Sequence, residues 1–524
     1  MGFWRTAAVV VGLSLAAALA PATAAHAAVD VTRDLTNPGF LRIAGSAGNP
    51  IANQVALLGD VNGDGIGDMA TAGGFDPALP TVSSVVVVFG RRTGGRLETD
   101  PLPPGAGFRI TGVEFDLNTR PFGPSVAAAG DVNGDGFADI IVGASGWRLP
   151  DGTATGRAFV IFGGRGLGDV DVRALPPGRG FALAPPANYQ DFGYQVAGVG
   201  DVNHDGLADV AVAGSGTGVI FEVHVVYGRR TGGDVDLGAW SPALGWRVSG
   251  HTTAPDGWST ISLGNAITGL GDVNHDGVDD IAIGAPSDAP HLNPNFFGAV
   301  YVVYGGRSTD LSTADLGCAA CRRNGIRITG GVAPFGGWQV GSVVSGPGDV
   351  NGDGVRDILI GTNFGTLGAF VVFGRAANPA TIALDSPFRG FAIRSTTSGP
   401  GDACCHPGNR VAPAGDLNGD GRADLLVGNG QDSPTVDGQR RDSSGQVFVI
   451  YGRTGTSTVD VDNLPARAGF RIVGGVFLDG FNTGSAIDGG RDVTGDGRGD
   501  LVIGSGLLPG DPSANVSGID VLAG

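Results

Sequence analysis

A nine-residue pattern, Asp-x-Asn-x-Asp-Gly-x-x-Asp, recurs seven times along this chain, and no other feature narrows the possible folds as far. The copies begin at Asp60, Asp131, Asp201, Asp272, Asp349, Asp416 and Asp492, the last with Thr494 in place of Asn. Successive starts lie 71, 70, 71, 77, 67 and 76 residues apart. A near-constant period marks a repeat architecture, in which one supersecondary unit buries its apolar face against the next.

The flanks repeat with the loops. A small-residue strand precedes each loop, often after Phe-Gly, as at Phe122-Gly123, Phe192-Gly193 and Phe335-Gly336. An apolar strand follows (residues 140–145, 281–286 and 425–430), then a Val/Phe/Tyr-rich one (85–90, 158–163, 299–305 and 447–452). A fourth begins with Gly and an apolar residue and carries Arg (107–112, 245–250, 325–330 and 469–474). Short Val/Ile/Phe runs bounded by Gly and Asp, without stretches of helical periodicity, predict an all-β chain. Four strands per repeat is the content of one propeller blade.

The order Phe-Gly, acidic loop, Gly-Ala-Pro (literal at Gly284-Ala285-Pro286), Val/Tyr-rich strand resembles the FG-GAP repeat of the integrin α-subunit head. The resemblance covers residues 28–524 and implies a seven-bladed β-propeller of four-stranded blades, with calcium in the loop joining each blade's first and second strands. The chain ends suit closure: the last repeat stops after its third strand (518–524), and an unpaired fourth-type strand stands at 39–45. An N-terminal strand that completes the last blade removes both free sheet edges.

Each loop offers side-chain oxygens at positions 1, 3, 5 and 9 and a carbonyl at position 7. The candidate ligands are Asp60, Asn62, Asp64 and Asp68 in the first loop, and Asp131, Asn133, Asp135 and Asp139 in the second. The third has Asp201, Asn203, Asp205 and Asp209; the fourth, Asp272, Asn274, Asp276 and Asp280. In the fifth and sixth they are Asp349, Asn351, Asp353 and Asp357, then Asp416, Asn418, Asp420 and Asp424. The seventh has Asp492, Thr494, Asp496 and Asp500, and its hydroxyl makes it the expected weakest site. All-oxygen sets select Ca²⁺ over softer-ligand metals, up to seven ions here. An EF-hand would need Glu at position 12, but that position holds Thr71, Val142, Val212, Ile283, Ile360, Val427 and Ile503. His204 and His275, at position 4, are expected to face solvent.

The net charge of −18 belongs largely to these loops, which hold 21 of the 51 acidic residues. Seven divalent ions would bring it to −4, so the acidity argues for no basic partner, and it disfavours nucleic acid. Arg5, the apolar run 7–20 and the small residues ending at Ala27 predict a signal peptide over 1–27 and a secreted, monomeric product over 28–524. No later run is long enough to span a bilayer. Four cysteines in an exported chain favour disulfides, expected as Cys318–Cys321 and Cys404–Cys405. Arg498-Gly499-Asp500 spells an integrin-recognition tripeptide, but Asp500 is itself a loop ligand.

Fold alone gives no function. The rim opposite the loops carries Trp147, Tyr189, Trp258, Phe296, Phe297 and Trp338, expected to serve sugar stacking or protein contact, or to pack under their own loops. The favoured reading is a non-catalytic binding or adhesion module for an extracellular protein or glycan. The alternative is a polysaccharide-active hydrolase or lyase, for which His251, His291, Asp256 and Asp288 are the acid–base candidates.

Overall fold

A computed structural model describes residues 28–30, 40–45, 51, 54–76, 79–115, 124–187, 189–216, 219–250, 262–288, 298–330, 339–362, 367–395, 407–430, 433–436, 439–441, 444–474, 486–505 and 518–524. Seven antiparallel sheets are arranged as the blades of a propeller, and the innermost strands run Gln54–Gly59, Ser125–Gly130, Gln195–Gly200, Ala266–Gly271, Val343–Gly348, Arg410–Gly415 and Ile487–Arg491. Neighbouring innermost strands touch around the whole ring, including the last with the first.

Blade 2 shows how the repeat folds. Ser125–Gly130 pairs with Asp139–Ala144, which pairs with Arg157–Ile161, which pairs with Gly180–Ala184. The second strand is buried along its whole length because apolar side chains from the two adjacent blades cover both its faces. This explains why Ile140, Ile141 and Val142 stand in unbroken succession instead of alternating with polar residues. The core therefore lies between blades: Leu58, Val87 and Phe108 of blade 1 join Ile140, Val142 and Phe159 of blade 2 in one cluster. Full burial of each such side chain is worth about 1.5–3 kcal/mol.

The fourth strand opens on a glycine that cannot be replaced without disturbance. Gly180 has φ 151°, and a Cβ on it would stand 2.0 Å from the carbonyl oxygen of Val160. The same close approach recurs at Gly107, Gly245, Gly325, Gly390 and Gly469, which accounts for the invariant first letter of that strand within the chain.

To the four expected strands the structure adds a short fifth. Between its third and fourth strands, each of blades 1–6 lends a two- to four-residue segment that runs parallel to the fourth strand of the preceding blade. Val170–Asp171 thus pairs with blade 1, Val235–Asp236 with blade 2 and Leu311–Ser312 with blade 3. In blade 7 the corresponding connection is interrupted by the chain ends, and Ala28–Asp30 takes its place against Gly469–Val473 of blade 6. The N-terminal strand Phe40–Ala44 completes blade 7 against Gly518–Leu522. Arg42 and Asp520 face each other across that seam in a buried bidentate pair at 2.6 and 3.0 Å. Among the described residues no helix is long and apolar enough to cross a membrane.

Candidate metal centre

All seven acidic loops join a first to a second strand and so share one rim. The first loop stands for the set. Asp60 accepts from the backbone N–H groups of Gly63 and Asp64 through Oδ1 and of Gly65 through Oδ2. Asn62 Oδ1 accepts from Asp64 N, and Asp64 Oδ1 accepts from Ile66 N. The loop is thus wound on its own side chains, a conformation that needs left-handed backbone at positions 4 and 6. Gly63 and Gly65 supply it with φ 77° and 85°. His204 and His275 adopt φ 62° and 63° at position 4 of loops 3 and 4, with their rings exposed as expected.

Position 9 is different in kind. Asp68 is fully buried at the start of the second strand, where Oδ2 accepts from Val61 N at 2.8 Å and Oδ1 from Gly90 N at 2.8 Å. It ties both ends of the loop to the end of the third strand. The other six copies, Asp139, Asp209, Asp280, Asp357, Asp424 and Asp500, are equally buried. Burial pushes Asp68, Asp139, Asp209 and Asp357 up to about 7, Asp280 to about 8 and Asp424 and Asp500 to about 6, against the backbone hydrogen bonds they accept. The position-1 and position-5 carboxylates raise the first six further. Among the described residues none of the seven forms an ion pair, although Asp280 acts on the Arg307 guanidinium at longer range.

Among the described residues, no group of three or more His, Cys, Asp or Glu side chains is gathered as a metal cage. The predicted ligands turn toward their own backbone, and in loops 1–4 the position-3 amide nitrogen donates to the position-5 carboxylate at 2.8–3.0 Å. The donor chemistry nonetheless suits a hard divalent ion: each loop holds three carboxylates and an amide or hydroxyl, one carboxylate being buried without an ion-pair partner among the described residues. In loop 4, Asn274 Oδ1 is buried and receives no hydrogen bond, an acceptor with nothing to accept from. Turning the position-3 amide over would present its oxygen, instead of its nitrogen, to the position-5 carboxylate, an arrangement that a cation between them stabilises.

The loops are also joined to one another. The N–H at position 8 of one blade donates to the position-1 carbonyl of the preceding blade, from Ala138 to Asp60, Ala208 to Asp131, Ala423 to Asp349 and Gly67 to Asp492. The carbonyl at position 2 accepts from the turn after the next blade's third strand, as Val132 does from Arg229 and Val350 from Arg453. Sequence reading missed this linkage, because it runs through backbone groups and position 8 (Gly67, Ala138, Ala208, Asp279, Arg356, Ala423 and Gly499) carries no common side-chain mark.

The remaining candidates separate clearly. Tyr189 is buried, donating to Glu222 at 2.5 Å, and Trp147 is half-buried with its edge on Phe159 and Arg157 over its ring. Neither is the exposed platform that one sequence reading allowed; both pack beneath their own loops. Trp258, Phe296, Phe297, Trp338, His251, Asp256 and His291 lie outside the described residues. Asp288 is buried and accepts from Tyr301 Oη at 2.6 Å and from Arg327 at 2.8 Å, a structural ion pair. Cys318 and Cys321 form a disulfide as expected, whereas Cys404 and Cys405 lie outside the described residues. Asp500 is buried, so the tripeptide at 498–500 presents no free carboxylate.

A family model for the FG-GAP repeat matches residues 122–161, 264–303 and 407–450, which fall on blades 2, 4 and 6. Integrin alpha-PS3 of Drosophila melanogaster is 31% identical over 168 residues, 32% of this chain and 13% of that protein. Phosphatidylinositol-glycan-specific phospholipase D of Bos taurus is 30% identical over 174 residues, 31% of this chain and 18% of that protein. Integrin alpha-V of Gallus gallus is 28% identical over 234 residues, 44% of this chain and 19% of that protein. The chain therefore spans less than a fifth of the length of these relatives. A solved Aleuria aurantia lectin aligns over 77% of this chain and 96% of its own at 12% identity, with a TM-score of 0.33, too loose an overlap to carry weight.

Proposed function

From its standing as an integrin-α-like FG-GAP repeat protein, we propose that this chain is a secreted, calcium-stabilised propeller that acts as a non-catalytic binding or adhesion module for an extracellular protein or glycan. Residues 1–27 direct export and are removed, and 28–524 form the propeller. The observation that carries the reading is the sevenfold set of loops on one rim, each ending in a buried carboxylate that forms no ion pair among the described residues. Asp at positions 1, 5 and 9 and the Asn or Thr at position 3 would hold the ion. Calcium there supplies the positive charge that keeps the position-9 carboxylate ionised. The loop residues do the rest: they fix the first-to-second-strand turn and, through their carbonyls, the position of the next blade.

The relatives support a recognition role by analogy, since two of the three are integrin α-chains. The third is named for an enzyme, and it keeps the second reading alive: a polysaccharide-active hydrolase or lyase on the same scaffold. Asp288, one of the acid–base candidates for it, is engaged with Arg327 and Tyr301. A glycan and matrix-protein array, probed with and without calcium and run beside an assay for released reducing ends or unsaturated uronides, tests the two. Calcium-dependent capture without product release is the expected result; turnover would sink the binding reading.

A further inference from the structure

The seven loops share a sequence pattern but differ in what faces their carboxylates. In loops 1–4, among the described residues, no arginine pairs with a loop carboxylate, and the position-5 Oδ2 accepts from its own position-3 amide. In loop 5 that place is taken by Arg389, the residue before the fourth strand of its blade, with Nη2 2.6 Å from Asp353 Oδ2. The displaced amide of Asn351 turns to Asp357 at 3.5 Å. In loop 6, Arg422 at position 7 lies 3.3 Å from Asp420 Oδ2 and also donates through Nε to the Asn351 carbonyl at 3.4 Å, straddling loops 5 and 6. In loop 7, Arg92 donates to the Gly495 carbonyl, and Thr494 Oγ1 donates to Asp500 Oδ1 at 3.2 Å.

A guanidinium on a loop carboxylate supplies part of the charge that a divalent ion would bring, and it must move aside before the ion can use that oxygen. Arg389 and Arg422 keep 44% and 35% of their side chains exposed, so each can swing into solvent at small cost. The geometry points to two classes of cation site on one ring: four tight sites in blades 1–4 and three weaker ones in blades 5–7, with Arg389 and Arg422 setting the affinity of the fifth and sixth. This rests on the calcium reading above and extends it, because the seventh loop becomes one of three weak sites instead of the single weak one. The three weak loops are consecutive and end at the blade that the N-terminal strand closes. A falling cation concentration would then empty those three of the seven blades first.

Terbium luminescence and calcium calorimetry on the mature chain test the proposal. The unaltered protein is expected to fill four sites before the other three. Arg389→Gln and Arg422→Gln should each tighten one weak site roughly three- to tenfold, the effect of removing one positive charge close to a divalent ion in screened water. Arg389→Lys, which keeps the charge, should tighten its site far less than Arg389→Gln. Seven equivalent sites in the unaltered chain, or both Gln variants titrating like it, would overturn the two classes while leaving the calcium reading intact. No terbium uptake by a protein with native circular dichroism would overturn the calcium reading itself.

Discussion

His224 sits at the middle of the third strand of blade 3 with no exposed surface and no hydrogen-bond partner on either ring nitrogen. The edges of Tyr189, Phe192 and Trp240 close around it. Burial holds its pKa down at about 3, Arg247 pushes the same way, and Asp310 opposes them. An unfolded histidine titrates near 6.5, so below that pH the unfolded chain takes up a proton that the folded chain refuses. Stability is therefore intact above about pH 6.5 and falls as pH drops toward 3. In saturating calcium, His224→Phe should remove about 2–3 kcal/mol of the loss seen between pH 6.5 and 4.5, read from urea unfolding at each pH. An unchanged pH profile would show that the ring finds a partner on protonation. His204 and His275 make a second case at this scale. Their φ values are left-handed, where five of the seven loops use glycine. His204→Gly should stabilise the protein by about 0.5–1 kcal/mol, since removing the Cβ relieves more strain than the added chain entropy costs; a lower urea midpoint would contradict this. The sequence showed these residues to be loop residues facing solvent, but not their strain, because the position-4 turn depends on hydrogen bonds that the Asp201 carboxylate accepts from Asp205 N and Gly206 N and that appear only in three dimensions.

The strand and loop elements were largely legible because each carries its own chemical mark. Asp at positions 1, 5 and 9, Gly at position 6 and the apolar second strand recur without exception, and all four long strands of every blade follow from them. The lent fifth strand was not legible, since two residues cannot show a period. A mark does exist in the Asp-Val-Asp runs at 169–171 and 234–236, where the first Asp accepts a backbone N–H from the neighbouring blade: Asp169 from Arg109 and Asp234 from Ala182. The second Asp caps a short 3-10 turn, as Asp171 and Asp236 do. The burial of Tyr189 was hidden for a similar reason, because only the fold shows Glu222 waiting for its hydroxyl. At the fourth-strand glycine the expectation is sharp. Gly180→Ala places a methyl group against the Val160 carbonyl and should cost about 2–4 kcal/mol, checked by thermal unfolding. A loss below 0.5 kcal/mol, in order-of-magnitude terms, would mean that the blade edge yields freely.

The ring is held closed at the blade built from both ends of the chain, and there it uses an ion pair where no other blade sets opposite charges at the same register. Arg42 and Asp520 occupy the register positions held by Ala182 and Phe159 in blade 2 and by Ala392 and Phe370 in blade 5. A buried pair of this kind is costly to break from one side. Arg42→Met should destabilise by about 3–5 kcal/mol, while Arg42→Met with Asp520→Leu should recover most of it, because no lone charge is then left buried. Equal losses in the single and double variants would show instead that the pair is needed to seat the strand. Among the described residues, hydrogen bonds between neighbouring acidic loops make their rim a belt that is broken only between blades 6 and 7, so loading a loop bears on a blade beside it.

On the reading proposed above this belt binds calcium, and calorimetric melting of the mature chain at neutral pH, in excess calcium and in excess chelator, puts that to the test. Linkage of roughly 2.7 kcal/mol per tight site at a hundredfold excess over Kd predicts that chelation lowers Tm by more than about 10 °C and that added calcium restores it. A melting temperature indifferent to chelator would contradict the account.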